Sequence, residues 1–212
     1  MTPVIIAIDG PAGAGKSTVG KALAKRLGLE YLDTGAMYRA VAFAALRQGT
    51  AVTDDAAVAE LARAMDLSVS EAGVFVDGVD ATAGIRSRDV TEAVSAVAAN
   101  TPVRDELRAR QRQWADERGG GVIEGRDIGT VVFPDATLKL FITASPRTRA
   151  ERRVAEIGGD IDDVATSIAE RDRRDMTRID GPLRAADGAA VVDTTGLTVD
   201  EVVARIVELL PQ

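Results

Sequence analysis

Val4-Ile5-Ile6-Ala7-Ile8-Asp9-Gly10-Pro11-Ala12-Gly13-Ala14-Gly15-Lys16-Ser17 is the stretch on which the fold turns. Its first six residues are a short, β-branched run, the pattern of a strand buried on both faces. Gly10 to Ser17 then satisfy G-x-x-x-x-G-K-[ST], and Gly15 to Leu27 reads as the helix that has to follow. In this setting the glycines let the backbone curl so that successive N–H groups point at phosphate oxygens. Lys16 reaches the β- and γ-phosphates, the Ser17 hydroxyl is a Mg2+ ligand, and the helix N-terminus adds partial positive charge. The plain alternative is a glycine-rich turn with an accidental lysine. Since the chain holds only four lysines in 212 residues, the coincidence is improbable.

Outward from this motif, strand-like and helix-like segments alternate, as in a parallel sheet flanked by helices. Glu30 to Asp33, Val122 to Glu124, Leu138 to Ala144 and Ala189 to Asp193 supply four further strands, and Thr198 to Leu210 an amphipathic closing helix. Between Thr34 and Gly120 the pattern changes. Gly35 to Leu46 and Asp55 to Met65 read as helices, and Leu67 to Val79 as a small antiparallel meander around Ala72-Gly73 and Asp77-Gly78. Asp89 with Glu92 is expected to open a helix as a capping box, and Thr101-Pro102 to start a long one with a hydroxyl cap. Residues 34–118 are thus expected to be an insert into a core made of 1–33 and 119–212.

Composition narrows the chemistry. With no cysteine and no histidine, a disulfide scaffold, a thiolate nucleophile, a Cys/His zinc site and a Ser-His-Asp triad are all excluded. The net charge of −7 and only seven aromatic residues argue against nucleic acid as a partner. The longest apolar run, Ala40 to Leu46, is far below the ~20 residues that span a bilayer, and the N-terminus lacks a signal-peptide pattern. A soluble, cytoplasmic monomer with small-molecule partners, and neither membrane nor nucleic acid, is expected.

A phosphate-binding loop specifies the donor and leaves the acceptor open. The lone Asn100, followed by Thr101-Pro102, excludes the N-K-x-D signature of a GTPase, and the chain is short for a motor or transporter ATPase. A small kinase remains. A hydroxyl acceptor needs a base, whereas a phosphate monoester is already an anion at neutral pH and needs its repulsion neutralised by arginines and Mg2+. Residues 147–184 hold nine arginines and no lysine. Arg149 and Arg153 share one helical face, Arg171, Arg174 and Arg178 form a second stripe, and Gly158-Gly159 lies between them. This reads as a helical lid, 147–162, that closes over phosphates. Arg147 and Arg173 are read as solvated surface, Arg149, Arg153, Arg171 and Arg178 as functional.

The chain resembles the bacterial cytidylate (CMP/dCMP) kinases nearly end to end. The likeness is carried by I-D-G-P-A-G-A-G-K-S-T (Ile8 to Thr18), L-D-T-G-A-M-Y-R (Leu32 to Arg39), G-R-D-I-G-T-V-V-F-P-D-A (Gly125 to Ala136) and E-R-D-R-R-D (Glu170 to Asp175). It implies the P-loop nucleoside-monophosphate kinase fold: a five-stranded parallel sheet flanked by helices, an acceptor-binding insert with a small antiparallel sheet, and a helical lid. It further implies that Gly10, Pro11, Ala12, Gly13, Ala14, Gly15, Lys16, Ser17 and Thr18 bind ATP. By the same resemblance Thr34, Arg39 and Arg126 hold the acceptor phosphate, Ser95, Arg104, Asp127 and Arg178 the cytosine, and Asp175 the ribose. Thr34 stands where some members carry serine. Asp33 is a candidate to hold a Mg2+-bound water. Lys16, Arg126, Arg149, Arg153 and Arg171 are the expected catalytic set, acting on CMP or dCMP and ATP. Cytosine offers an amine that Asp127 and Ser95 can accept from, where uracil presents a carbonyl, so an unpaired buried group would discriminate by ~10⁴-fold or more. The same motif would also serve a kinase of UMP, AMP or a small alcohol such as shikimate, or a nucleotide-binding switch without fast chemistry.

Overall fold

The computed structural model describes residues 3–210. The chain divides into two compact units, one running up to Tyr31 and again from Ala115, the other Leu32–Trp114. Residues 1, 2, 211 and 212, which the expected core includes, lie outside the described residues.

The first unit is organised by β1 (Val4–Asp9), at the centre of a five-stranded sheet of order β2-β6-β1-β7-β8. The others are β2 (Tyr31–Asp33), β6 (Gly120–Glu124), β7 (Leu138–Thr143) and β8 (Ala190–Asp193). A central strand is covered on both faces, and Ile6, Ala7 and Ile8 are accordingly fully buried. β1 runs parallel to β6, with Ile8 opposite Glu124, and parallel to β7, with Asp9 opposite Phe141. This register brings the carboxyl ends of β1 and β6 level, and the Gly125 N–H donates to the Ile8 carbonyl at 2.9 Å. The loops leaving the two strands, Gly10–Gly15 and Gly125–Asp127, therefore start side by side.

Parallel strands need crossovers, which the helices provide. α1 (Lys16–Leu27) buries Val19, Gly20, Leu23 and Ala24, and α8 (Val199–Val207) buries Val202, Val203 and Ile206. Both stripes cover Ile6, Ile8, Val122, Leu140, Ile142 and Val192. Each such aliphatic side chain contributes about 1.5–3 kcal/mol by leaving water. α6 (Pro146–Ile157) and α7 (Ile161–Thr177) pack on each other. Between them Gly158 and Gly159 make a tight turn, and Asp160 caps α7 by accepting from the Asp162 and Asp163 N–H groups.

The second unit is built on α2 (Thr34–Gln48), whose Ala36, Met37, Ala40, Val41, Ala44 and Ala45 are buried. Around it lie α3 (Asp55–Ala64), an antiparallel sheet of β3 (Leu67–Ser70), β4 (Gly73–Val76) and β5 (Val79–Asp80), α4 (Arg88–Ala99), and α5 (Thr101–Arg118), which continues into the first unit.

Three helix ends differ from the sequence expectation. α4 is capped by Ser87, whose hydroxyl accepts from the Val90 N–H at 3.4 Å, and Glu92 pairs instead with Arg88 at 2.8 Å. Val90, Val94 and Val97 are all buried at helical spacing, and the helix that carries them opens at Arg88, one residue before Asp89. α5 is capped by Asn100, not by the Thr101 hydroxyl. Asn100 Oδ1 accepts from the Val103 N–H at 3.2 Å while its Nδ2 donates to the Asp55 carbonyl at 2.8 Å. α8 stops at Val207, and the chain leaves it in a turn that exposes Leu209 while Leu210 packs, partly buried, against the core.

Candidate active site

The loop after β1 is held open by what its glycines lack. Gly10 has φ +147°, and a Cβ there would sit 1.9 Å from the Ile142 carbonyl oxygen of β7. Gly15 is left-handed, and α1 begins after it without a side-chain cap, an arrangement suited to anion binding at a helix N-terminus. Lys16 is 9% exposed, and its Nζ donates to the Pro11 carbonyl at 3.0 Å, folded back across the loop. The Ser17 hydroxyl donates to Oε1 of Glu124, the last residue of β6, at 2.6 Å. A hydroxyl beside a carboxylate is an oxygen donor pair that a small hard cation takes, with phosphate oxygens completing its shell. Ser17 and Glu124 therefore fit Mg2+.

Two arginines of α6 tie this loop to its surroundings. Arg149 Nη1 donates to the Ala12 carbonyl at 3.1 Å and pairs with Asp172 of α7, which in turn accepts from the Ala12 N–H at 3.0 Å. Arg152 donates to the Ala14 carbonyl at 3.2 Å, and to the Thr194 hydroxyl and carbonyl at 2.9 Å each.

The neighbouring loop, Gly125-Arg126-Asp127, leads into a wide turn, Ile128–Val132. Arg126 Nη1 donates to the Gly10 carbonyl at 2.6 Å, and its Nε to Asp175 Oδ2 at 2.8 Å. Asp175 is also 3.7 Å from Arg178 Nη1. Arg178 reaches Asp127 Oδ1 at 3.3 Å and donates from Nε to the Gly181 carbonyl at 2.6 Å. One buried chain of alternating charge thus runs from Gly10 through Arg126, Asp175 and Arg178 to Asp127. Burial pushes the Asp175 carboxyl up, but the Arg126 charge and hydrogen bond, with Arg171 and Arg178, hold it below the usual carboxylate range.

Asp9 closes the arrangement from below. It is 2% exposed, and its two carboxylate oxygens accept from the Ile128 and Gly129 N–H groups, each at 2.8 Å. Burial pushes its carboxyl up to about 6; the two N–H groups pull it back only in part, and the Asp127 charge adds to the rise.

Among the remaining arginines the structure separates the ones read as functional. Arg171 is half-buried and acts on Asp175 through its charge. Arg153 is engaged with exposed Glu156 at 2.9 Å, an ordinary surface geometry. Arg147 and Arg174 make comparable exposed pairs with Glu151 and Glu170.

In the second unit, Asp33 caps α2, its Oδ1 accepting from the Ala36 N–H at 2.9 Å, so that oxygen is already committed. Thr34 is buried at the start of the same helix. Arg39 Nη1 donates to the Ile85 carbonyl at 3.0 Å and the Thr91 hydroxyl at 2.9 Å. Arg104 is 1% exposed on α5, donates to the Ala98 carbonyl at 3.0 Å and lies 5.7 Å from the Tyr38 ring centroid. Ser95 is half-buried on α4.

With this geometry in view, the comparisons with known proteins are direct. The family described as Cytidylate kinase matches residues 6–212. The chain belongs to the cytidylate kinase family. Its relatives include a cytidylate kinase of Mycobacterium leprae, 46% identical over 217 residues covering 100% of this chain and 97% of that one. Another, from a Geobacillus species, is 49% identical over 214 residues covering 97% and 95%. The fold is shared more widely. Shikimate kinase from Bacteroides thetaiotaomicron superposes with a TM-score of 0.50 over 97% of each chain, at 16% identity.

Within this chain, several residues at the loop escaped the sequence reading. Glu124 ends a short apolar strand and has no motif of its own, although its place one residue before Gly125-Arg126-Asp127 is a signal that a register argument could use. Asp172 lies inside the E-R-D-R-R-D stretch but was given no role there, and Arg152 carries no distinguishing pattern among the neighbouring charges. Asp9, although quoted within the Ile8 to Thr18 stretch, was given no role beyond ending the strand.

Proposed function

We propose that this chain transfers the γ-phosphoryl group of ATP to the phosphate of CMP, and of dCMP, by direct in-line displacement, as a cytoplasmic monomer. The bond from the γ-phosphorus to the β,γ-bridging oxygen breaks as a bond to an acceptor phosphate oxygen forms, with no covalent enzyme intermediate. The observation that carries this reading is Arg126, whose guanidinium joins the phosphate loop at Gly10 to Asp175 and so stands where two anions would meet.

The backbone from Gly10 to Thr18 cradles the donor phosphates, and Lys16 swings from Pro11 to the migrating group. Arg126, Arg149, Arg153 and Arg171 offset the repulsion between donor and acceptor. Ser17 and Glu124 would hold Mg2+, which would supply charge neutralisation on the donor oxygens. In the second unit Thr34 and Arg39 serve the acceptor phosphate, and Ser95 and Arg104 the base. In the first, Asp127 and Arg178 serve the base and Asp175 the ribose. Asp33, already an N-cap, retains one carboxylate oxygen for a water. Residues 147–162 act as the lid.

The test is coupled ADP release with ATP, Mg2+ and CMP, dCMP, UMP, AMP or shikimate in turn. Turnover that requires CMP or dCMP is expected. Turnover with another acceptor alone, or tight ATP binding without acceptor-dependent turnover, overturns the proposal.

A further inference from the structure

None of the roles above uses Asp9, yet its geometry is specific. Two oxygens of one carboxylate receive two consecutive backbone N–H groups, those of Ile128 and Gly129, at the start of the wide turn. The far side of that turn closes on Asp127, whose carbonyl accepts from the Val131 N–H at 2.9 Å and the Val132 N–H at 3.3 Å. Asp127 is therefore gripped through its own carbonyl by a turn whose leading amides Asp9 holds. The next residue along from Asp9, Gly10, takes Arg126. Residues 9 and 10 together fix both members of the Arg126–Asp127 pair against the phosphate loop.

We infer that Asp9 is a positioning residue for acceptor selection: its carboxylate sets the turn that aims Asp127 at the base, and ties that aim to the phosphate loop. This rests on the cytidylate reading given above. A neutral amide supplies only one acceptor oxygen for two donors and would turn its own NH2 against the second. Holding both amides at once takes the ionised carboxylate. The charged groups that act on it are Asp127, which opposes its ionisation, and Lys16, which favours it. Because ionisation is complete only above about 6, the clamp loosens as the pH falls through that value.

Acid limbs of the rate alone would mislead, since the acceptor phosphate itself ionises near ~6. The ratio of kcat/KM for CMP to that for UMP cancels that ionisation, because both acceptors carry the same phosphate. In the wild-type protein the ratio is expected to fall as the pH drops through about 6. In Asp9→Asn it is expected to be lower by ~10-fold or more at neutral pH, one hydrogen bond's worth, and flat with pH. A wild-type ratio that does not change with pH, or an Asp9→Asn protein with the wild-type ratio and profile, overturns the inference. A second measurement does not depend on the variant folding. In the ligand-free wild-type protein, the amide resonances of Ile128 and Gly129 should shift together with one midpoint near 6; amides that do not titrate overturn the clamp. Wild-type protein that makes no CDP defeats the cytidylate reading instead, and the amide titration still decides the role of Asp9.

Discussion

Replacing Arg126 tests the buried charge chain where it bears most load. In Arg126→Met the side-chain volume stays roughly the same while both hydrogen bonds vanish, the one to Gly10 at 2.6 Å and the one to Asp175 at 2.8 Å. The Arg126 and Asp175 side chains are only 16% and 11% exposed, so little water can substitute. Removing one partner of a buried ion pair costs about 3–5 kcal/mol. Arg178, 3.7 Å from the other Asp175 oxygen, remains as a weaker partner and places the expected cost at about 3 kcal/mol. For a chain of this length that corresponds to a fall in Tm of about 6–12 °C at neutral pH. The pH dependence has a definite sign. In the wild type the Asp175 carboxyl is held below its ordinary value, so its contribution is present above the unfolded value and is lost as the pH falls through the depressed folded value. Without Arg126 the largest opposing influence is gone, burial dominates, and the folded value rises. Acid unfolding of Arg126→Met should therefore begin at higher pH than in the wild type. The assay is a set of thermal melts from about pH 3 to about pH 8, with kcat/KM for CMP measured alongside. Arg126→Lys, which keeps the charge but cannot make both bonds at once, should lose about 10–100-fold in kcat/KM with a smaller change in Tm. A melting temperature of Arg126→Met within about 1 °C of wild type, with an unshifted acid transition, would mean that the Arg126–Asp175 pair does not stabilise the fold.

Two further outcomes follow from the loop. Lys16→Ala should lower kcat by ~10²-fold or more while ATP binding, followed by calorimetry, weakens less, since the lysine acts most on the charge of the transferring group; unchanged turnover contradicts that role. Glu124→Gln, which keeps the partner of the Ser17 hydroxyl but removes its charge, should raise the Mg2+ concentration needed for half-maximal rate by ~10-fold, and an unaltered Mg2+ requirement argues against the assignment.

The primary sequence determined the class of fold and the donor chemistry. Both depend on local patterns: a short β-branched run bounded by a glycine turn reads as a strand buried on both faces, and Gly10 to Ser17 can curl around phosphates only with those glycines in place. The four strands beyond β1 and the antiparallel meander were legible for the same reason, because hydrophobic period is local. Helix ends were less so. Ser87 and Asn100 took the caps from Asp89 and Thr101: the Ser87 hydroxyl meets the Val90 N–H, and Asn100 is held by its bond to Asp55, 45 residues away in the chain, which a neighbour-by-neighbour reading does not see. The arginine cluster was legible as a cluster, while its division was not. Arg149 meets Ala12 and Asp172, whereas Arg153, four residues on, pairs with the exposed Glu156. Glu124 and Asp9 became functional residues only once the parallel register set β6 beside β1. Partners such as Ser17 with Glu124 and Asp9 with Gly129 lie more than a hundred residues apart in the chain, and only the packed sheet brings a carboxylate within hydrogen-bond reach of the group it governs.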